Sequence, residues 1–243
     1  MDEELIGVTL WLLREAEASD DPSRPRLLVR KSGASGNPSA AQQVELLAER
    51  VNAGMAFMAN QKLRLGIEVP RADKNYVYVI DREVYADGTM SEPELIFPAK
   101  STPRGDEEVS AGRLTYVPSR NDPNPYFSLQ QNRADQVREL LTIIISPRPL
   151  MPLAGGSPKL ERSQIAQWEK DWGGAAERRE MRNAAGQEWT VAEKEAGESK
   201  RKLVPGDPLP QIIYRVKAKP GAPVLINVPL RIAQPEGNAP KRR

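Results

Sequence analysis

The stretch Lys62-Leu63-Arg64-Leu65-Gly66-Ile67-Glu68-Val69 decides how the chain folds. Every second residue is apolar over eight positions, the pattern of a strand with one face on a core and the other toward water, and Pro70 ends it. Working outward, Tyr76-Val77-Tyr78-Val79-Ile80 is apolar on both parities and rich in β-branched and aromatic residues, which suits a central strand covered on both sides. Tyr76 and Tyr78 share one face and are read as core. Asp87-Gly88 supplies a hairpin-type turn, and Leu95-Ile96-Phe97 returns from it to stop at Pro98.

Further strands are predicted at Leu5–Leu13, Arg26–Arg30, Leu114–Val117, Tyr126–Leu129 and Leu140–Ser146, then at Gln211–Val216 and Pro223–Ile232. Short strands separated by Pro, Gly, Asn and Asp clusters point to a mainly β fold, an antiparallel β-sandwich, and not to alternating β-α units. Gly33–Ala41 is small and polar, a loop, whereas Val44, Leu47 and Val51 fall at helical spacing and predict a short helix over Gln42–Arg50.

After Pro147, Pro149 and Pro152 the character changes, and Gly155-Gly156-Ser157-Pro158 reads as a connector. Ser163 is the expected N-cap of a helix bearing Ile165, Trp168 and Trp172 on one face, closed by Gly173-Gly174. Thr190 and Glu193 form a capping-box pattern, with Gly197 keeping the second helix short or frayed. The expected organisation is a β-sandwich over 1–150, an extension of short helices and one or two strands over 151–233 packed on it, and a tail, 234–243, that is mobile or held by a partner.

Composition restricts the chemistry. The 243 residues include no cysteine and no histidine, which removes disulfides, thiol nucleophiles, Ser-His-Asp machinery, and thiolate or imidazole metal ligands. Phosphate-binding glycine motifs and a G-x-S-x-G elbow are absent as well. No catalytic, cofactor-binding or metal-binding residue is assigned, and no cofactor is expected. Asp81 and Glu83 are the only acids beside an apolar central strand, with Asp87 in the turn beyond; paired carboxylates of this kind can do acid/base work, although acids past a strand end are more often solvated. Asp106-Glu107-Glu108 is acidic but lacks the spacing of a calcium loop. Trp168 and Trp172 are able to stack a ligand, and docking of their helix on the sheet is the simpler reading.

Thirty-five Lys and Arg against 33 Asp and Glu leave a net charge of +2, too balanced for a dedicated nucleic-acid binder. Residues 1–150 hold 18 basic against 22 acidic side chains and residues 151–243 hold 17 against 11, so the C-terminal part is the basic half. No run reaches the length of a membrane span, and the acidic start, Asp2-Glu3-Glu4, is unlike a secretory signal. Export to the periplasm or beyond is slightly favoured over retention, with Met1 standing where a leader has been removed.

The order Tyr76-Val77-Tyr78-Val79-Ile80-Asp81-Arg82-Glu83, Tyr85-Ala86-Asp87-Gly88-Thr89, Leu95-Ile96-Phe97-Pro98 and Ala111-Gly112-Arg113 leading to Pro118 resembles the bacterial domain-of-unknown-function family numbered 4384. A longer form of that family looks similar through Ile144–Leu150, Trp168–Gly173, Trp189–Ala196 and Asp207–Tyr214, so the likeness spans about residues 5 to 230. The resemblance implies an accessory β-domain, often exported, with no agreed activity and no catalytic residues to carry over. The leading expectation is a non-catalytic module that binds another protein. A second is a structural subunit of an extracellular assembly, in which Leu5–Leu13 and Val224–Ile232 pair with copies of the chain by strand addition. A third is an enzyme acting on glycans through carboxylates.

Overall fold

The computed structural model describes residues 2–31, 42–52, 54–69, 74–102, 107–119, 121–151, 158–174, 176–181, 190–198, 202–204 and 206–234. The Gly33–Ala41 loop, most of the Gly155–Pro158 connector, Asp106 and the tail after Gln234 lie outside them. In chain order the elements are β1 (Asp2–Glu15), β2 (Arg26–Lys31), β3 (Gln42–Arg50), β4 (Ala56–Phe57), β5 (Lys62–Glu68), β6 (Asn75–Asp81), β7 (Glu83–Tyr85), β8 (Glu94–Phe97), β9 (Glu108–Val109), β10 (Leu114–Val117), β11 (Phe127–Ser128), β12 (Gln136–Ser146), α1 (Arg162–Trp172), β13 (Glu177–Glu180), α2 (Val191–Glu198), β14 (Ile212–Ala218) and β15 (Val224–Ile232).

Two sheets face each other, as the sandwich reading expects. The first runs β10-β5-β1-β14-β13, with β3 on the far half of β1, β2 beyond β3, and β11 on β5. The second runs β4-β15-β12-β6-β8, with β7 on β12 and β9 on β6. Strand alternation sorts the side chains: Ile6, Val8, Leu10, Leu63, Leu65 and Ile67 from the first sheet meet Val77, Val79, Ile143, Ile145, Ile226 and Val228 from the second in one continuous core. The opposite parity of the second sheet, Tyr78, Ile80, Ile144 and Leu225, lies under α1 through Ile165, Trp168 and Trp172. Among the described residues no helix is long and apolar enough to cross a membrane.

Four local expectations need correction. Gln42–Arg50 is a strand, because Val44, Leu46 and Ala48 also alternate with period two, and β3 is hydrogen-bonded to β1 on one edge and β2 on the other. Pairing on both edges outweighs a weak helical spacing. The residue before α1 is Glu161, with no side-chain cap, so Ser163 lies inside the helix. The second face of β5 does not meet water: Arg64 is buried with its guanidinium 4.2 Å from the centre of the Tyr116 ring, and Gly66 admits Trp11 and Leu114. Finally, residue 150 is no boundary in the sheets. β14 is hydrogen-bonded between β1 and β13, and β15 runs beside β12 from Val224 to Arg231, so strands from beyond residue 150 complete both sheets.

The cover on the outer face of the first sheet is α2. Its capping box forms as the sequence predicts, Thr190 Oγ1 accepting from the Glu193 amide at 3.1 Å while the Glu193 carboxylate accepts from the Thr190 amide at 3.0 Å. Glu193 also pairs with buried Arg50, whose guanidinium stands 5.2 Å from the centre of the Trp11 ring. Gly197 has a different reason from fraying: a Cβ there would come within 2.0 Å of the Tyr116 ring, and only glycine lets the helix backbone sit that close.

Candidate functional site

At one end of the sandwich the inward alternation continues, but the side chains change. On β6 the inward series Val77, Val79 is followed by Asp81, and after the outward Arg82 it resumes at Glu83 on β7. On β12 the series Ile145, Ile143, Leu141 arrives at Glu139. The register then brings acid against acid, Asp81 opposite Glu94 on β8 and Glu83 opposite Glu139. Like charges directly opposite in an antiparallel ladder cost stability, so two such pairs in a row mark a place where something other than stability is served.

The four acids line a pocket of about 430 Å³ between the sheets. Leu63, Ile96, Leu141 and Leu230 make its apolar wall, Tyr126 and Phe127 its aromatic side, and Asn124, Gln130 and Asn132 the remaining polar groups. No lysine or arginine is among the described residues that line it. Among the described residues no group of three or more acids is arranged to hold a metal ion.

The carboxylates are held in different ways. Glu83 is fully engaged: Tyr85 Oη donates to it at 2.8 Å, and Asn132 Nδ2 donates to its other oxygen. Glu139, only 3% exposed, accepts from Gln136 Nε2 at 3.1 Å through Oε1, while its Oε2 has no donor. Asp81 Oδ1 likewise is buried without a donor. These two carboxyls are within hydrogen-bonding reach of each other, and such a bond requires a proton between them. Burial pushes Glu139 up to about 9, reinforced by the neighbouring Asp81, and burial also raises Asp81. Both shifts favour a protonated carboxyl over a second buried charge in this pair.

Of the residues singled out from sequence, Asp81 and Glu83 are brought together in this pocket. Asp87 is not: its carboxylate closes the exposed turn by accepting from Thr89 Oγ1 at 2.6 Å and the Thr89 amide at 2.8 Å, bonds that hold it below the usual carboxylate range. Trp168 and Trp172 lie on the opposite face of the second sheet, half-buried and stacked on each other with ring centres 5.4 Å apart. That face is anchored by Arg82, which donates to Thr142 Oγ1 at 2.9 Å and to Glu169 of α1 at 2.6 Å, so the alternation of side chains along the strand puts the helix anchor and the acids on opposite faces. Sequence reading missed Glu139 and Glu94. Glu139 was within reach, two residues before Leu141 in a strand whose parity is plain; Glu94 has no signal apart from its register with Asp81.

Comparison with protein-family models, with curated proteins and with solved structures finds no match.

Proposed function

We propose that this protein is a non-catalytic binding module that recognises another protein, and that the acidic pocket receives a cationic side chain of that partner. The observation that carries the reading is the gathering of four carboxyls, Asp81, Glu83, Glu94 and Glu139, in one pocket with no lysine or arginine among its described lining residues. The pocket's shape narrows the choice. Apolar walls ending in carboxyl oxygens suit an alkyl chain tipped by an ammonium, as in lysine, whose three donors can reach oxygens on separate residues; a planar guanidinium prefers both oxygens of one carboxylate. The resemblance to the bacterial accessory family, and export with it, belong to the same proposal.

An amide NMR titration with N-acetyl-lysine methylamide tests it, with the norleucine analogue as the uncharged isostere. Saturable shifts at Asp81, Glu83 and Glu139 with the lysine compound alone are expected, lost in Glu139→Gln and kept in Asp87→Asn. Equal shifts with norleucine, or none with lysine, overturn the reading.

The adjoining Asp81 and Glu139 carboxyls favour one other reading, hydrolysis in which a carboxyl dyad activates water. A glycan-acting version draws little support from this pair, because hydrogen-bonded carboxyls are closer than the roughly 5–5.5 Å or more between glycosidase acids. Turnover of a peptide or ester panel that disappears in both Asp81→Asn and Glu139→Gln would select the hydrolase.

A further inference from the structure

On the outer face of the second sheet, Arg138 of β12 and Arg231 of β15 are direct cross-strand partners. Both are exposed, and no acidic side chain among the described residues pairs with either. Arg178 of β13, an edge strand of the other sheet, joins them in lining an open concavity of about 470 Å³ completed by Gly54, Val137 and Pro229. Arg178 donates to Glu180 at 2.7 Å, which offsets its charge, whereas Glu180 does not line the concavity. Two uncompensated guanidinium groups thus stand opposite each other, with a third beside them.

We propose that Arg138, Arg231 and Arg178 form an oxyanion site for a dianionic phosphate group. Like charges directly opposite across a ladder repel, and a counter-ion between them reverses the sign of that interaction. A guanidinium presents its donors as a planar fork that matches two phosphate oxygens, and the double negative charge balances the two arginines that have no acid of their own. The three arginines come from three strands in two sheets, so their convergence is not a consequence of periodicity along one element. The site has no residue in common with the acidic pocket: Arg138 and Glu139 are neighbours in sequence on opposite faces of β12.

The experiment is an amide NMR titration with inorganic phosphate at constant ionic strength, with acetate as the singly charged comparison. Phosphate is expected to shift Arg138, Arg231 and Arg178 saturably and more tightly than acetate. Arg138→Gln and Arg231→Gln each weaken it roughly tenfold or more, as expected for loss of a charge-assisted contact, while exposed Arg148→Gln and pocket variant Glu139→Gln leave it unchanged. No phosphate-specific shift, or an equal loss in Arg148→Gln, overturns the site. Co-sedimentation with phosphatidylcholine vesicles with and without phosphatidic acid identifies the source of the phosphate. Binding to the acidic vesicles that requires Arg138 assigns the site to a lipid headgroup; no vesicle binding, alongside the phosphate shifts, assigns it to a soluble phosphate; vesicle binding that survives Arg138→Gln overturns the assignment.

Discussion

The two ends of the inter-sheet space are built on the same strands and differ in what they contain. Toward one end, Val77, Val79, Ile143 and Ile145 are fully buried in the hydrophobic core. Two to four residues further along the same ladder, Asp81, Glu83 and Glu139 occupy the equivalent inward positions. The backbone and its alternation do not change between these regions; only the side chains do. The difference teaches that a sheet pair can set aside one end of its core for recognition without altering topology, provided the buried charge is met by donors, as at Glu83, or by a proton, as at Asp81 and Glu139.

The largest effect separating the two ends is expected from Ile143→Ala, which leaves a cavity in the dry end and costs about 2–5 kcal/mol in denaturant unfolding. Glu139→Gln, four residues away on the same strand, is expected to cost far less and at alkaline pH to raise stability; a loss comparable to that of Ile143→Ala would show that the acid end is packed like the dry one.

Next comes pH. The Glu139 carboxyl is at about 9 in the fold against an ordinary 4.5, so between those values the native state keeps a proton that the unfolded chain has released. Stability from this group is present in full below about 4.5, is lost as the pH rises from there through about 9, by on the order of a few kcal/mol, and changes no further above that. Glu68, pushed by burial to about 7, adds a loss of the same sign confined to 4.5–7. Urea melts should therefore show Glu139→Gln flattening the slope across the whole range from 4.5 to about 9, and Glu68→Gln flattening it only between 4.5 and about 7.

Relief of the cross-strand repulsion between Asp81 and Glu94 is smaller. Glu94→Gln is expected to stabilise the protein by about 0.2–1 kcal/mol in the absence of any cation, and a stabilisation that vanishes in high salt would confirm its electrostatic origin. The smallest effect is at Asp87, whose turn stands apart from the pocket: Asp87→Asn should leave the urea midpoint nearly unchanged and the titration of Glu139 unmoved.

The strands around the site were legible because β6 and β12 combine β-branched residues with a clear parity, and Asp81 and Glu83 stand out against that background. Gln42–Arg50 was misread because its apolar residues satisfy both a helical and a two-residue period, and only the neighbours β1 and β2 break the tie. β13, Glu-Arg-Arg-Glu, has no apolar signal at all; it exists as a strand because β14 offers a ladder and its charges pair with one another along the chain. Glu139 was overlooked where an apolar run was bracketed at its hydrophobic start.

By itself the sequence determined the β character, the inward parity of each strong strand, the capping box of α2 and the lack of thiol and imidazole chemistry, since all of these depend on residues adjacent or a few positions apart. Only the tertiary structure decided which acids meet. Asp81 joins Glu139 across 58 positions of chain, and Arg138 faces Arg231 across 93, because register between strands is fixed by the summed burial of both sheets and not by any local preference of the residues that it brings face to face.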